Sequence, residues 1–303
     1  MTRSYAFLIG LLAAIWGASY LFIKVADRAF SPAAMMDIRM LAAGLLLAAF
    51  LVWQRGRSRA IAEVREVGWH GVLLGVLNGA VPFTLIAWGE RHIDSGVAAV
   101  ANATVPIFVA ALAPWLLPSE GVRGVRLFGI ALGLVGVVVL AGAQPSVGGW
   151  FIAGTLAVVL ASISYALAGI YAQHRLTTGT GPALATAAML GGAVVLLPLA
   201  LLRLPTHAPG WKPVASLAGL TLLGTALAQL ILYRVIRLHG SLKTSLVTYL
   251  MPPIALGYGA LLLGESLSVA TVGGLALILG GVALGSGAVR LARWRRAAPV
   301  PEP

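Results

Sequence analysis

Residues 95–143 read SGVAAVANATVPIFVAALAPWLLPSEGVRGVRLFGIALGLVGVVVLAGA, and an altered copy begins at Ser241: SLKTSLVTYLMPPIALGYGALLLGESLSVATVGGLALILGGVALGSGA. At a shift of 145 residues Glu120 falls on Glu265, Gly129 on Gly274, Gly136 on Gly281 and Gly142 on Gly287. Upstream of the glutamates a shift of 146 is better, and puts Ser95 on Ser241 and Pro106 on Pro252. The first shift also holds earlier in the chain, where Ser19 and Tyr20 fall on Ser164 and Tyr165, and Gly79 on Gly224. The chain is therefore read as two copies of one unit, and that decides the fold before any single segment does.

Composition sets the class. A soluble domain is roughly 45–50% apolar and about 25% charged, whereas this chain is 59% apolar and 10% charged. The apolar residues come in blocks, and a helix needs about 20 such residues to cross a bilayer. Ten runs qualify, near 5–25, 33–53, 69–88, 95–117, 124–142, 151–172, 182–202, 213–235, 241–263 and 269–289. The first run is expected to be a retained helix rather than a signal peptide, because no small-residue cleavage site follows it. Five runs per copy is an odd number, so the copies must cross in opposite senses, as in inverted-repeat transporters. The expected fold is an all-α polytopic membrane protein of ten transmembrane helices. These form two inverted five-helix repeats, residues 1–143 and 144–289, followed by a basic tail over 290–303.

The formal charge of +12 could suggest nucleic acid, but the cations sit in the short links between runs. With the N-terminus placed inside, fifteen Lys and Arg fall on the cytoplasmic side, among them Arg55, Arg57, Arg59, Arg65 and the four arginines of the tail. Only Arg28, Arg91, Arg203 and Lys212 fall outside. By the positive-inside rule both termini are cytoplasmic, and the basic clusters are topology signals rather than a nucleic-acid surface. The chain has no cysteine, and its five histidines show no ligand spacing, so no metal or cofactor is expected.

Polar residues inside the apolar runs mark candidate positions. Trp16, Ser19, Tyr20 and Lys24 follow helical spacing in the first run, with Tyr20 mirrored by Tyr165; Lys24 is expected to snorkel at the outer end. Asn78 and Pro82 stand four apart in the third run, with Phe83 beside them. Asn102 and Pro106 repeat the device in the fourth, and Thr248 and Pro252, with Tyr249, in the ninth. A proline frees a carbonyl one turn before it, and in lipid such groups must face protein or a cavity. Gln229 completes the uncharged polar set. Tyr20, Asn78, Pro82, Phe83, Asn102, Tyr165, Gln229, Thr248 and Tyr249 are thus the expected substrate-binding residues. Asp37 and Arg39 are read as a structural ion pair or phosphate anchor, and Glu120 and Glu265 as acids at the dipole-positive starts of the fifth and tenth runs.

The stretches IWGASYLFIK, DIRMLAAGLLL, SGVAAVANATVPIFVAALAPWLLPSE and GLALILGGVAL resemble the drug/metabolite transporter superfamily, and within it the EamA family of ten-helix exporters. The resemblance covers nearly the whole chain. One departure is that the family's Gly before Glu is Ser119 in the first copy, preceded by Pro118. The general likeness within the family is to the YddG-type exporters of aromatic amino acids.

The resemblance implies alternating access around a central cavity and export of small metabolites across the bacterial inner membrane. A largely uncharged site suits amino acids, aromatic or otherwise hydrophobic, or related metabolites. The alternative is export of other small amphiphilic metabolites or drugs with proton coupling. Mid-span acids of the kind that drive proton pumps are scarce, which favours a facilitator or a weakly coupled exporter. An intramembrane enzyme would want a paired acid and base, a Ser with His, or a metal set. A channel would want a ring of repeated charges or a carbonyl-rich filter. Neither pattern is present, and the expected state is a monomeric transporter whose partners are its solute and the lipid bilayer.

Overall fold

In the computed structural model, the described residues are 3–116, 124–142, 148–175, 180–239 and 247–285. Glu120, Pro118, Ser119, Ser241 and the 290–303 tail lie outside them. The described residues form helices and turns only. In hydrocarbon no water is available to backbone N–H and C=O groups, and a helix satisfies them within one segment. The helices are α1 Arg3–Ala26, α2 Pro32–Arg55, α3 Arg57–Val67, α4 Trp69–Gly89, α5 Ser95–Asn102, α6 Val105–Leu116, α7 Val125–Ala141, α8 Gly149–Arg175, α9 Gly181–Leu201, α10 Trp211–Leu238, α11 Val247–Leu263 and α12 Val269–Gly285. Seven stretches are long and apolar enough to cross a membrane: α1, α2, α4, the Ser95–Leu112 part of α5 and α6, α8, α9 and α10. α7, α11 and α12 are shorter apolar helices.

Local chemistry explains the boundaries. Ser31 caps α2 by accepting from the Ala34 N–H at 3.2 Å, and Pro32 occupies the first turn, where a missing N–H costs nothing. α3 lies in the basic link between the second and third runs. It is set off at both ends by glycines with positive φ, Gly56 at 78° and Gly68 at 55°, a region that disfavours side chains. Glu63 of α3 ties it to the bundle, pairing with Arg55 at 3.6 Å and accepting from the Thr180 hydroxyl at 2.6 Å.

Packing interlocks the two halves of the chain. The heaviest contacts are α7 with α12 and α2 with α9; α1 packs on α11, and α5 and α6 pack on α8. α4 lies against both α8 and α9, and α10 against both α1 and α2. Under the 145-residue correspondence every one of these pairs maps onto itself or onto another of them. Small residues let the backbones meet. A Cβ on Gly281 would sit 2.5 Å from the Gly133 nitrogen and 2.6 Å from the Gly129 oxygen. One on Gly136 would sit 2.8 Å from the Ile278 side chain. Gly75 is equally closed in by the backbone of Ala188 and Gly192. Outside this core, Leu45, Val138, Leu160, Val194 and Leu261 are among many exposed apolar side chains, a surface suited to lipid rather than water.

Gly281→Ala is therefore expected to destabilise the protein by roughly 1–3 kcal/mol, since the obstructing atoms are backbone. Gly10→Ala, with nothing within 4 Å of the added methyl, is expected to be neutral. Thermal unfolding in detergent checks both.

Candidate functional site

Breaks and bulges in the helices set the site. The fourth predicted run is not one helix: it stops at Asn102 and resumes at Val105. Pro106 has no N–H, so the Asn102 carbonyl loses its partner four residues on. The Ser162 hydroxyl of α8 stands 3.5 Å from that carbonyl, 3.5 Å from that of Ala101, and 3.2 Å from the Asn102 Oδ1. On the other side, Asn102 Nδ2 donates to the Tyr20 hydroxyl at 2.8 Å. The same hydroxyl is nearer still to the Val158 carbonyl of its own helix, at 3.1 Å, so Asn102 is bonded to α1 and lies against a shared α8 hydroxyl across the break. In the second half α11 runs unbroken through Pro252 and Pro253 and ends in a π turn over Gly259–Leu263, so the two prolines do not divide the helix there.

α4 and α10 each contain a π turn at corresponding positions, Val76–Ala80 and Leu222–Leu227. A π turn widens the helix and leaves carbonyls for other donors. Ser164 donates to the Leu77 carbonyl at 2.7 Å, and Thr225 to the Leu220 carbonyl at 3.1 Å. Asn78 lies in the first of these turns, half-buried, and Pro82 follows it, buried. Neither π turn was legible beforehand; the signal is the small residues Gly79 and Gly224 that they contain.

A second grouping centres on Arg39, which is 5% exposed. Its Nε donates to the Thr225 hydroxyl at 2.7 Å, and its guanidinium carbon lies 3.8 Å from the centre of the Phe83 ring. Phe83 meets Tyr165 edge-on at 6.4 Å between centroids. The expected Asp37–Arg39 ion pair is absent among the described residues. Positions two apart on a helix point to opposite sides, and Asp37 Oδ1 is buried without a hydrogen-bond partner.

Of the nine predicted residues, the structure brings together Tyr20 with Asn102, and Phe83 with Tyr165. Tyr249 packs against the main core, while Gln229 and Thr248 are half-buried. A cavity of about 690 Å3 lies elsewhere, lined by Leu85, Trp88, Leu156, Leu160, Arg91 and Arg203 among others, and holds none of the nine. Among the described residues no three His, Asp or Glu side chains gather as a metal would require.

One end of the bundle is closed by charges. Lys24 does not snorkel; its ammonium donates to the backbone carbonyls of Glu90 and of Ile93, the latter at 2.8 Å. Loop carbonyls left over at the end of α4 are better acceptors than distant water. Arg91 binds Asp27 at 2.7 Å and the Phe30 carbonyl at 3.2 Å. Burial pushes the Asp27 carboxyl up, with Arg91 pulling the other way. Glu265 does not cap its own helix. Its carboxylate accepts from Ser95 N at 2.9 Å, Ser95 Oγ at 2.8 Å and Gly96 N at 3.1 Å, so an acid of the second copy caps the helix that opens the fourth run. The Thr271 N–H of α12 is instead satisfied by Ser268 Oγ at 3.0 Å.

The EamA-like transporter family matches this sequence twice, over residues 3–142 and 152–287. The chain belongs to that family. As an EamA-like protein it is a small-molecule transporter and a multi-pass protein of the bacterial inner membrane. It is 31% identical over 259 residues to the inner membrane transporter YedA of Escherichia coli K12, covering 84% of this chain and 81% of that one. A probable terminal-alkyne amino-acid exporter of Streptantibioticus cattleyicolor is 29% identical over 281 residues, with 89% of each chain covered. A probable amino-acid metabolite efflux pump of Salmonella typhimurium is 24% identical over 308 residues, with 98% and 99% covered. A solved crystal structure shares the fold, with a TM-score of 0.65 at 20% identity over 95% of this chain and 99% of the other.

Glu90 yields a pH signature in this EamA-like chain. It is 1% exposed, both carboxylate oxygens lack hydrogen-bond partners, and burial pushes its carboxyl well above the usual range against the pull of Lys24. A carboxyl raised in the folded state gives stability that is full below the unfolded pKa and lost as pH rises from the usual carboxylate range. The slope is at most about 1.4 kcal/mol per pH unit. Glu90→Gln is expected to flatten that fall relative to the parent, and to be as stable or more stable at pH 7, in melting curves from pH 4 upward.

Proposed function

We propose that the chain exports amino acids, aromatic or otherwise hydrophobic, or closely related small metabolites, by alternating access around a site between its two halves. The observation that carries this reading is the Tyr20–Asn102–Ser162 connection across the Asn102–Val105 break. Hydrogen-bonding groups are there held at a helix interruption inside an apolar bundle, and interrupted helices at repeat interfaces form the sites of many transporters. Relatives named as amino-acid exporters and efflux pumps support the solute class. Tyr20, Asn78, Pro82, Phe83, Asn102, Tyr165, Gln229, Thr248 and Tyr249 line the solute's path on this reading, and the protein works as a monomer.

The topology proposed with it has ten crossings in two inverted five-helix repeats, residues 1–143 and 144–289, with both termini and the 290–303 tail cytoplasmic. The pairwise exchange of helix contacts and the distribution of Lys and Arg support it. Because the chain has no cysteine, single cysteines report topology without a background. A cysteine placed for Ser58 is expected to resist a membrane-impermeant thiol reagent applied from outside the cell, and one placed for Thr206 to react. The opposite pattern would invert the orientation.

Purified protein in liposomes is expected to accelerate flux of phenylalanine or tryptophan. Asn102→Ala should lower that flux about tenfold, with the melting temperature falling by only a few degrees, since one neutral hydrogen bond is worth about 1 kcal/mol. Absence of flux with every amino acid tested would reject the reading.

A further inference from the structure

Arg39 carries a charge that the fold leaves unanswered. It sits seven residues inside α2, about 10 Å from the start of the helix at 1.5 Å per residue. No ion pair among the described residues includes it. Its Nε is used by Thr225, and its Nη1 has only the Met36 sulfur at 3.7 Å. Neither terminal nitrogen donates to an oxygen among the described residues. A guanidinium presents a planar fork of donors, and a carboxylate meets that fork with two parallel bonds. Ionisable groups at such depth are expensive and ordinarily mark a solute path or a relay.

The surroundings hold the fork ready. Phe83 supports one face of the guanidinium, Thr225 fixes its Nε, and both donors of rigidity come from α4 and α10, the two helices with matched π turns. Tyr165 stands edge-on to Phe83. A solute carboxylate placed on the fork would have the aromatic wall of Phe83 and Tyr165 beside it for an apolar side chain.

We propose that Arg39 binds the carboxylate of the transported solute, which assigns the solutes to amino acids and other small carboxylates and excludes cationic amphiphiles. This rests on the transport reading above and narrows it. A purely structural Arg39, clamping α2 to α4 and α10, would instead affect every solute alike.

The test is a competition in liposomes holding the full chain, with labelled phenylalanine as the transported probe and unlabelled phenylalanine or phenylalaninamide as competitor. The amide keeps the ring and the ammonium and lacks only the carboxylate. For the parent protein the acid is expected to compete at least about tenfold better than the amide, because the fork would be left unpaired by the amide. Arg39→Gln should bring the two within threefold of each other, and Arg39→Lys should restore part of the preference. Equal competition in the parent overturns the assignment without any variant having to fold. A preference that survives unchanged in folded Arg39→Gln overturns it too. Flux with no preference for the acid rejects this assignment alone, whereas absence of flux for acid and amide alike rejects it together with the transport reading.

Discussion

Two apolar helices in lipid gain little from burying apolar surface against each other, because the hydrocarbon they leave is equally apolar. What holds them is close packing over small residues. That constraint governs this molecule. Gly281 lies on the backbone of Gly129 and Gly133, Gly136 on Ile278, and Gly75 on Gly192 and Ala188. Each contact joins the first half of the chain to the second. Some of these glycines also carry the internal repeat, Gly129 with Gly274 and Gly136 with Gly281, so the repeat signature and the α7–α12 interface overlap. A chain whose halves meet this way is one interlocked bundle rather than two bodies side by side.

Close packing of regular helices leaves no polar surface inside, and the irregular segments supply it. Pro106 releases a carbonyl that Ser162 approaches; the π turns in α4 and α10 release carbonyls that Ser164 and Thr225 reach. Each interruption has a hydroxyl from a neighbouring turn or helix close by, and an orphan backbone group in a dry interior costs several times what one hydrogen bond adds. The interruptions are therefore stable in place, and they concentrate polar atoms at the level of Tyr20, Arg39 and Asn102. The halves differ at this point: α5 and α6 are separated at Asn102–Val105, while α11 continues through Pro252 and Pro253. Among the described residues, likeness of sequence has not produced likeness of shape at this point.

Apolar block length made the all-helical membrane class legible, because it depends on local sequence. Asn102 and Tyr20 could be singled out as polar residues in apolar runs, and they do meet. Phe83, singled out beside Asn78 and Pro82, likewise meets Tyr165. Contacts fixed by tertiary placement were not legible. Glu265 lies four residues before α12 and yet binds Ser95, 170 residues earlier in the chain. Lys24 looked like a residue reaching for water, but the turn after α4 brings two carbonyls to it. Asp37 and Arg39 suggested a pair by proximity in sequence, whereas helical geometry turns them apart and sends Arg39 to Phe83 and Thr225. α3 was hidden because a short charged helix has neither the length nor the apolarity by which the others were found.

The distribution of charge separates what holds the bundle from what closes it. At the end that carries Lys24, polar contacts join the turns, Lys24 to carbonyls, Arg91 to Asp27 and Phe30, and Glu265 to the start of α5, beside the stacking of His92 on Trp150 and the close approach of Gly89 to Gly154. Such bonds can be traded for bonds to water at a net cost of about 1 kcal/mol each. The glycine contacts of α7 with α12 and of α4 with α9 cannot be traded in that way, since water offers no substitute for backbone packed on backbone. Arg39 belongs to neither set. It is a buried cation fixed by an aromatic face and one hydroxyl rather than by an acid, and a solute that brings its own negative charge would complete it.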